Sequence, residues 1–447
     1  MNYIQKKRAV ILQAGGGTRV INESLVACAK RLKEKNIEVL GPPGAFDGIM
    51  RNHYVGLMND KKLEEIRKQP SAYLGTSRSF YVDQVGAGEI AERLKKQGAN
   101  YIYLIGGDST AGIANEIYKA SKNLSNYELI VAHIPKTIDN DLVLTDHSPG
   151  FGSAARYVAY ATYTHGTINQ ENKDGGIHII ITMGRDSGFL AAASTLLYTE
   201  LAGPHLVYVP EVNFNIDFFV NDVKDVLSTN RRHENDKGRA VVVVSEGVRR
   251  YFYTDDNPDL DEKGGHKFEL MADIASRELN KHVEKEKRLG GIALSAGSNP
   301  LAEYLEKKLR QDKEIGNMHI RKHILGYLQR GYPDSVSLVD RLEAEYVGKK
   351  VVDYSFEKGS GSIIIERTGE GYIYSISSGY VNLEDIAGKK KTMPREWVGD
   401  YGKTISRIFR EYAGPLIGYV EGFEDRDYLL PPDSPDYDYK SRIIPQD

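Results

Sequence analysis

"LIVAHIPKTIDND", residues 129–141, starts apolar and ends in charge. Leu129 to Ile134 suit a strand buried on both faces, since a helix-covered parallel sheet needs near-continuous apolar runs. The next residues present Lys136, Thr137, Asp139, Asn140 and Asp141. An ammonium three positions from one carboxylate and five from another suits a place where an anion is held and a proton moves. In an open parallel sheet such places lie beyond the carboxyl ends of the strands.

The same alternation runs in both directions from this stretch. "RAVILQ" (8–13) reads as a strand with glycines behind it. "NESLVACAKRLKEKN" (22–36) reads as a helix with Leu25, Cys28 and Leu32 on one face and Asn22 as its N-cap. "IEVLG", "YIYLIGGDST" (101–110) and "YELIVAHIPKT" (127–137) continue the strands, with the helical patterns "GEIAERLKKQG" and "TAGIANEIYKAS" among them. A second series follows in "GIHIIITMGR" (176–185), "HLVYVPE" (205–211) and "RAVVVVSEG" (239–247). The expected class is α/β, with two lobes, each a mostly parallel sheet flanked by helices. Residues 1–150 are expected to form a phosphate-binding lobe, rejoined by about 330–378. The second lobe is expected over 151–329, completed by 379–447. "TDDNPDLDEKGGHK" (254–267) reads as an exposed excursion, and the Pro-, Asp- and Tyr-rich C-terminus as an extended strap or a disordered tail.

Composition narrows the setting. The chain has 447 residues, 59 Lys and Arg against 62 Asp and Glu, and a formal net charge of −3. That balance gives no general attraction to nucleic acid, so an anion must be captured by local positive charge. The single cysteine, Cys28, has no disulfide partner, which suits a reducing compartment. No stretch approaches the roughly 18 continuous apolar residues of a membrane span. The apolar run near the N-terminus is too short for a signal peptide. A cytoplasmic protein is expected.

Three loops in the first lobe follow strand ends: "QAGGGTRVIN" (13–22), "GGDST" (106–110) and "PKTIDND" (135–141). If their strands are neighbours, the loops meet. Glycines such as Gly15 and Gly16 let backbone N–H groups approach phosphate oxygens. Asp108 suits Mg2+, a hard cation that prefers oxygen ligands and keeps several waters. Each piece also has a plain structural reading: a tight turn for the glycine pair, a helix cap for Asp108, a solvated turn for Asp139 and Asp141. "QAGGGTRVIN" is not the G-x-G-x-x-G fingerprint, which disfavours a nicotinamide-dependent dehydrogenase. By themselves the spacings support a phosphate-binding α/β protein.

The set of motifs is more specific. "GGDST", "PKTIDND", "MGRDSGFLAAA", "YVPEVNF", "VVVVSEG" and "LGYLQRGYPDS" occur in the order and approximate spacing of the phosphofructokinase family, which this chain resembles over roughly residues 8 to 365. "QAGGGTRVIN", "TDHSPGFGSAARY" and "GPHLVYVPE" are most similar to the pyrophosphate-dependent branch. The resemblance implies phosphoryl transfer to the C1 hydroxyl of fructose 6-phosphate, from pyrophosphate or alternatively ATP, with Mg2+, in a cleft between the lobes. It implies Asp139 as the base, Thr137 and Arg185 beside the transferred group, and Asp108 and Asp141 near the metal. Donor contacts are implied for Gly15, Gly16, Arg78, Ser109 and Lys136. Sugar-phosphate contacts are implied for Met183, Gly184, Arg185, Glu246, Tyr327 and Arg330. Arg321 matches an arginine delivered by a neighbouring subunit, which implies at least a homodimer. Gly176 stands where ATP-dependent bacterial members carry a second such arginine, with His178 close by. Ser109 stands where many pyrophosphate users have aspartate. A catalytically silent sugar-phosphate-binding paralogue, or a kinase acting on another sugar phosphate, is the alternative. Retention of Asp108, Asp139 and Arg185 argues against silence.

Overall fold

The computed structural model describes residues 6–76, 84–231, 236–254, 257–258, 267–279, 285–286, 291–292, 299–369, 373–399, 402–432 and 438–445. In chain order it contains β1 (Arg8–Gln13), α1 (Ile21–Glu34), β2 (Glu38–Gly41), β3 (Val55–Gly56), α2 (Gln84–Lys96), β4 (Tyr101–Gly106), α3 (Asp108–Lys122), β5 (Ile130–Pro135) and α4 (Phe151–Glu171). These are followed by β6 (Gly176–Thr182), β7 (Leu206–Tyr208), α5 (Ile216–Thr229), β8 (Arg239–Ser245), α6 (Pro300–Gln311) and β9 (Ile320–Ile324). Last come α7 (Leu338–Lys358), β10 (Gly361–Arg367) and β11 (Ile376–Val381). Among the described residues no helix is long and apolar enough to cross a membrane.

The chain divides into two compact units. The first comprises 1–154, 330–391 and 414–447; the second comprises 155–329 and 392–413. The expected assignment of 379–447 to the second lobe is therefore met only by 392–413. Residues 379–381 belong to β11, which pairs antiparallel with β10 in the first unit's sheet. Part of the C-terminus is also tied to the first unit. A short helix, Tyr439–Ile443, buries Tyr439 and Ile443, and the Tyr439 hydroxyl donates to the Pro431 carbonyl at 2.6 Å. This stretch is neither a plain strap nor a tail. The expected excursion at 254–267 lies mostly outside the described residues.

The first unit's sheet has the order β11-β10-β5-β4-β1-β2-β3. Its inner strands run parallel, and β11 and β3 are antiparallel edges. Val10, Leu12, Ile102 and Leu104 pack with Ile90, Leu94 and Ile117 from the helices. Each such side chain stabilises by about 1.5–3 kcal/mol when fully buried. Leu25, Cys28 and Leu32 are buried on α1 as their spacing predicts. Asn22 is not the N-cap: α1 begins at Ile21, and the Asn22 amide faces inward. It donates to the carbonyls of Gln69 and Ser71 at 2.8 and 2.7 Å, and accepts from Gln13 Nε2 at 2.8 Å and the Tyr73 N–H at 3.0 Å. A buried amide that satisfies four groups stabilises more than a solvent-facing cap, because each of those groups would be costly if orphaned.

The second unit's sheet, β9-β6-β8-β7, is parallel throughout. Ile177, Ile179 and Ile181 face Phe219, Val223, Leu301 and Leu305 of α5 and α6. His178, Ile180 and Thr182 therefore belong to the opposite face.

"TDHSPGFGS" (145–153) forms a polar knot inside the first unit. The imidazole of His147 meets Asp146 through Nδ1 at 2.8 Å and Glu343 through Nε2 at 2.6 Å. Glu343 also accepts from the Tyr374 hydroxyl at 2.5 Å, and Arg367 pairs with Asp146 at 3.1 Å. Asp340, on the first turn of α7, accepts from the N–H groups of Gly150 at 2.7 Å and Ser153 at 2.9 Å. Burial would hold His147 neutral, but Glu343 and Asp146 outweigh it and raise its pKa from 6.5 to about 9. Because the folded value is the higher one, the stabilisation is complete below about pH 6.5 and is lost as pH rises through about 9. It amounts to about 3 kcal/mol. Lys136 and Lys391, pushed down to about 8 by burial, give the opposite slope above pH 8, so the His147 contribution is read by difference. The gap in urea unfolding free energy between wild type and His147→Gln should shrink by about 3 kcal/mol between pH 6.5 and 9.5. A gap independent of pH would show that His147 is neutral in the fold.

Candidate active site

In the first unit β1, β4 and β5 are adjacent, so the three polar loops that follow them lie at one edge of one sheet. The register pairs Gln13 with Ile105 and Gly106 with Pro135. Backbone bonds continue past the strand ends, from the Ala14 N–H to the Ile105 carbonyl at 2.9 Å and from the Lys136 N–H to the Gly106 carbonyl at 3.0 Å.

Lys136 turns back over the glycine loop. Its Nζ donates to the Gly16 carbonyl at 2.8 Å, and the residue is 3 % exposed. Arg330 covers the same loop: a Cβ on Gly16 would stand 2.7 Å from the Arg330 Cζ. Gly15 has φ +72°, and a Cβ there would stand 3.4 Å from the Lys136 Nζ. Gly15 is favoured by its left-handed backbone, and a side chain at Gly16 would have to displace the Arg330 guanidinium. Burial, then the Arg330 guanidinium, push the Lys136 ammonium down to about 8, against the pull of Asp139, Asp141 and Asp108.

The carboxylates are held by the turn that follows. Asn140 has φ +57°, a left-handed conformation that asparagine adopts more readily than most residues, and its Oδ1 accepts from the Ser148 N–H at 3.1 Å. The Asp139 N–H donates to Thr137 Oγ1 at 3.1 Å. Burial raises the Asp141 pKa to about 7, with further contributions from Asp139 and Asp108. Asp108 is the first residue of α3, with Lys390 Nζ 3.5 Å from its Oδ2. Asp141 resists ionisation and Asp108 draws a lysine, so these two could hold a divalent cation through oxygen ligands and retained waters. Lys390 and Lys391 were not foreseen. The Lys391 N–H donates to the Asp141 carbonyl at 2.7 Å, and its Nζ donates to the Asp146 carbonyl at 2.7 Å. The only sequence signal was the run "KKK" at 389–391.

In the second unit β6 and β8 pair Thr182 with Ser245, which brings "MGR" and "SEG" together beyond their carboxyl ends. Ser245 Oγ donates to the Gly184 carbonyl at 2.6 Å, and the Glu246 N–H donates to the Thr182 carbonyl at 2.9 Å. The Met183 N–H is fixed by Gln329 Oε1 at 3.1 Å. A Cβ on Gly247 would lie 2.0 Å from the Arg185 carbonyl, so only glycine lets the two loops pack. Arg249 donates to the Arg185 carbonyl at 2.7 Å, and Arg250 pairs with Glu269 at 3.1 Å. Met183, Gly184, Arg185 and Glu246 thus share one sheet edge.

The remaining expected residues are more scattered. Ser109, Arg321 and Tyr327 are exposed. Arg330 lies over the glycine loop of the first unit. Arg78 lies outside the described residues. At Gly176 a Cβ would meet Asn169 Oδ1 at 2.9 Å and Asn172 Nδ2 at 3.1 Å, so an arginine there would require both amides to move.

Residues 8–355 match the family model for phosphofructokinase. The chain belongs to the phosphofructokinase family. It is 36% identical over 420 residues to a pyrophosphate–fructose 6-phosphate 1-phosphotransferase of Rhodospirillum rubrum, covering 92% of this chain and 95% of that protein. It is 31% identical to a sulfofructose kinase of Alkalicoccus urumqiensis, covering 76% of this chain and 78% of that one. A pyrophosphate-dependent phosphofructokinase structure from Marinobacter aquaeolei superposes with a TM-score of 0.73 at 24% identity, covering 92% of this chain and 91% of that one, which shows a shared fold.

A cation that displaces the proton on Asp141 binds more weakly in acid. Mn2+ affinity, measured by electron paramagnetic resonance, should fall by up to tenfold per pH unit below about 7. Asp141→Asn should bind Mn2+ more weakly at pH 8 and lose most of this slope. A slope unaltered in the variant would place the proton elsewhere.

Proposed function

We propose that this family member is a pyrophosphate-dependent 6-phosphofructokinase. It moves a phosphoryl group from pyrophosphate to the C1 hydroxyl of fructose 6-phosphate, reversibly, giving fructose 1,6-bisphosphate in cytoplasmic glycolysis. The observation that carries this reading is the buried Lys136 ammonium tied to the Gly16 carbonyl, with Arg330 over the same glycine. Two cations above a glycine loop suit a compact, highly charged donor and narrow the room for a nucleoside. The pyrophosphate-dependent relative at 36% identity supports it.

In this reading Asp139 accepts the proton of the C1 hydroxyl as the new bond to phosphorus forms. Thr137 and Arg185 steady the group in transfer, because charge neutralisation and positioning supply most of such catalysis. Lys136, Ser109, Gly15, Gly16 and Arg78 hold the donor. Met183, Gly184, Arg185, Glu246, Tyr327 and Arg330 hold the sugar phosphate. Asp108, with Asp141, holds Mg2+, which when bound neutralises donor charge. Arg321, exposed on the edge strand β9, serves the sugar phosphate of a neighbouring subunit, so the active form is a homodimer or larger.

ATP is the second reading. It is favoured by Ser109, which is exposed and lacks the carboxylate that would repel a nucleotide's α-phosphate. One coupled assay with Mg2+, fructose 6-phosphate and each donor decides: turnover with pyrophosphate is expected, and turnover with ATP alone overturns the proposal. Lys136→Ala should lower pyrophosphate-driven turnover roughly 10- to 100-fold, the loss of a charge-assisted contact. Asp139→Ser should lower kcat by roughly 10²–10⁴-fold while leaving sugar-phosphate binding intact. Mixing Arg321→Ala subunits with Asp139→Ser subunits should restore part of the activity through hybrid sites. No recovery in mixtures shown to exchange subunits would mean that each site is built from one chain.

A further inference from the structure

The second unit contains three clustered histidines, His165, His178 and His323, to which the proposed function gives no role. Arg321 on β9 is paired with His178 on β6, so His323, two residues along, lies on the same face as both. His165 joins them from α4, its ring stacked on that of His323 with centroids 3.7 Å apart. One possible ligand atom from each imidazole lies within 4.8 Å of the other two. Among the described residues this is the one such grouping of histidine, cysteine or carboxylate side chains.

Hydrogen bonding defines the tautomers. Arg321 can only donate, and its Nη1 stands 3.4 Å from His178 Nε2, so that nitrogen is the acceptor. The proton of His178 is then on Nδ1, shared with His323 Nε2 at 3.2 Å. Burial, with Arg321 adding to it, lowers the pKa of His178 to about 4, and burial with the neighbouring imidazoles lowers His323 to about 3. Neutral imidazole is the form that ligates a metal.

We propose that His165, His178 and His323 form a three-histidine site for a borderline transition-metal dication, with Zn2+ the best fit. Two imidazole nitrogens bound to tetrahedral Zn2+ at about 2.0–2.1 Å stand about 3.3–3.4 Å apart. His178 Nδ1 and His323 Nε2 are already 3.2 Å apart, with a single proton between them. Zn2+ replaces that proton with little movement, and the half-buried His165 ring turns to supply the third nitrogen. The displaced proton passes to His178 Nε2 as that ring changes tautomer. Arg321, an exposed side chain, then swings away from Nε2 because both groups would be donors. Three neutral ligands leave one position open and the full charge of the ion in place, so an anion such as hydroxide or chloride completes the shell. The all-nitrogen donor set excludes Mg2+, which takes oxygen ligands.

The test uses full-length, metal-free protein dialysed against Zn2+ or Co2+ in excess Mg2+. Equimolar Zn2+ is expected, with imidazole nitrogens seen by X-ray absorption and an intense tetrahedral visible spectrum for Co2+. His165→Gln and His323→Gln should each weaken Zn2+ binding by more than the roughly 10- to 100-fold that loss of an outer-shell partner costs. Circular dichroism shows whether the variants fold; if they do not, the absorption spectrum of the wild type decides alone. Substoichiometric Zn2+, a shell of oxygen ligands only, or unchanged affinity in a folded His165→Gln/His323→Gln double variant would overturn the proposal.

Discussion

A fully buried ammonium is costly unless its surroundings answer it, and in the first unit that group is Lys136. Its ammonium donates to the Gly16 carbonyl at 2.8 Å and has a guanidinium for a neighbour. Nearby carboxylates pull its pKa up, but burial and Arg330 prevail. On the following turn burial raises the Asp141 pKa to about 7, with Asp139 and Asp108 adding to it.

Such a loop must be braced from behind, and the brace is the knot around His147. Glu343 and Asp340 come from the first turns of α7, Arg367 from β10, and Tyr374 from the stretch after it. Together they fix residues 145–153, which lead directly from the carboxylate turn, and Thr137 bridges to Gly150. The knot forms the first part of "TDHSPGFGSAARY", a stretch most similar to the pyrophosphate-dependent branch. In the structure its side chains face inward to hold the turn. Burying charge in this way destabilises unless every member has partners, and His147, Asp146 and Glu343 all do.

The sequence by itself determined the strands, because apolar runs buried on both faces admit few other readings. β1 occupies the span its sequence predicts, and β4, β5, β6 and β8 fall within theirs. It also placed the three polar loops beyond the ends of neighbouring strands, since a charged or glycine-rich turn directly after such a run has one usual place in a parallel sheet. The helix face of Leu25, Cys28 and Leu32 was equally plain from spacing.

Tertiary structure decided what depends on partners distant in the chain. Asn22 looked like a cap and became a four-way clasp because residues 69–73 come to meet it. Lys391 bonds the carboxylate turn, and Lys390 meets Asp108, from more than two hundred positions away, which no local pattern encodes. The course of the C-terminus followed from where apolar Tyr439 and Ile443 could be buried, and the second unit kept only 392–413 of the segment expected there. The histidine cluster arose in the same way, from strand register and one helix, since His165, His178 and His323 share no motif. Periodicity records which face of an element is buried; only the packed chain decides what it is buried against.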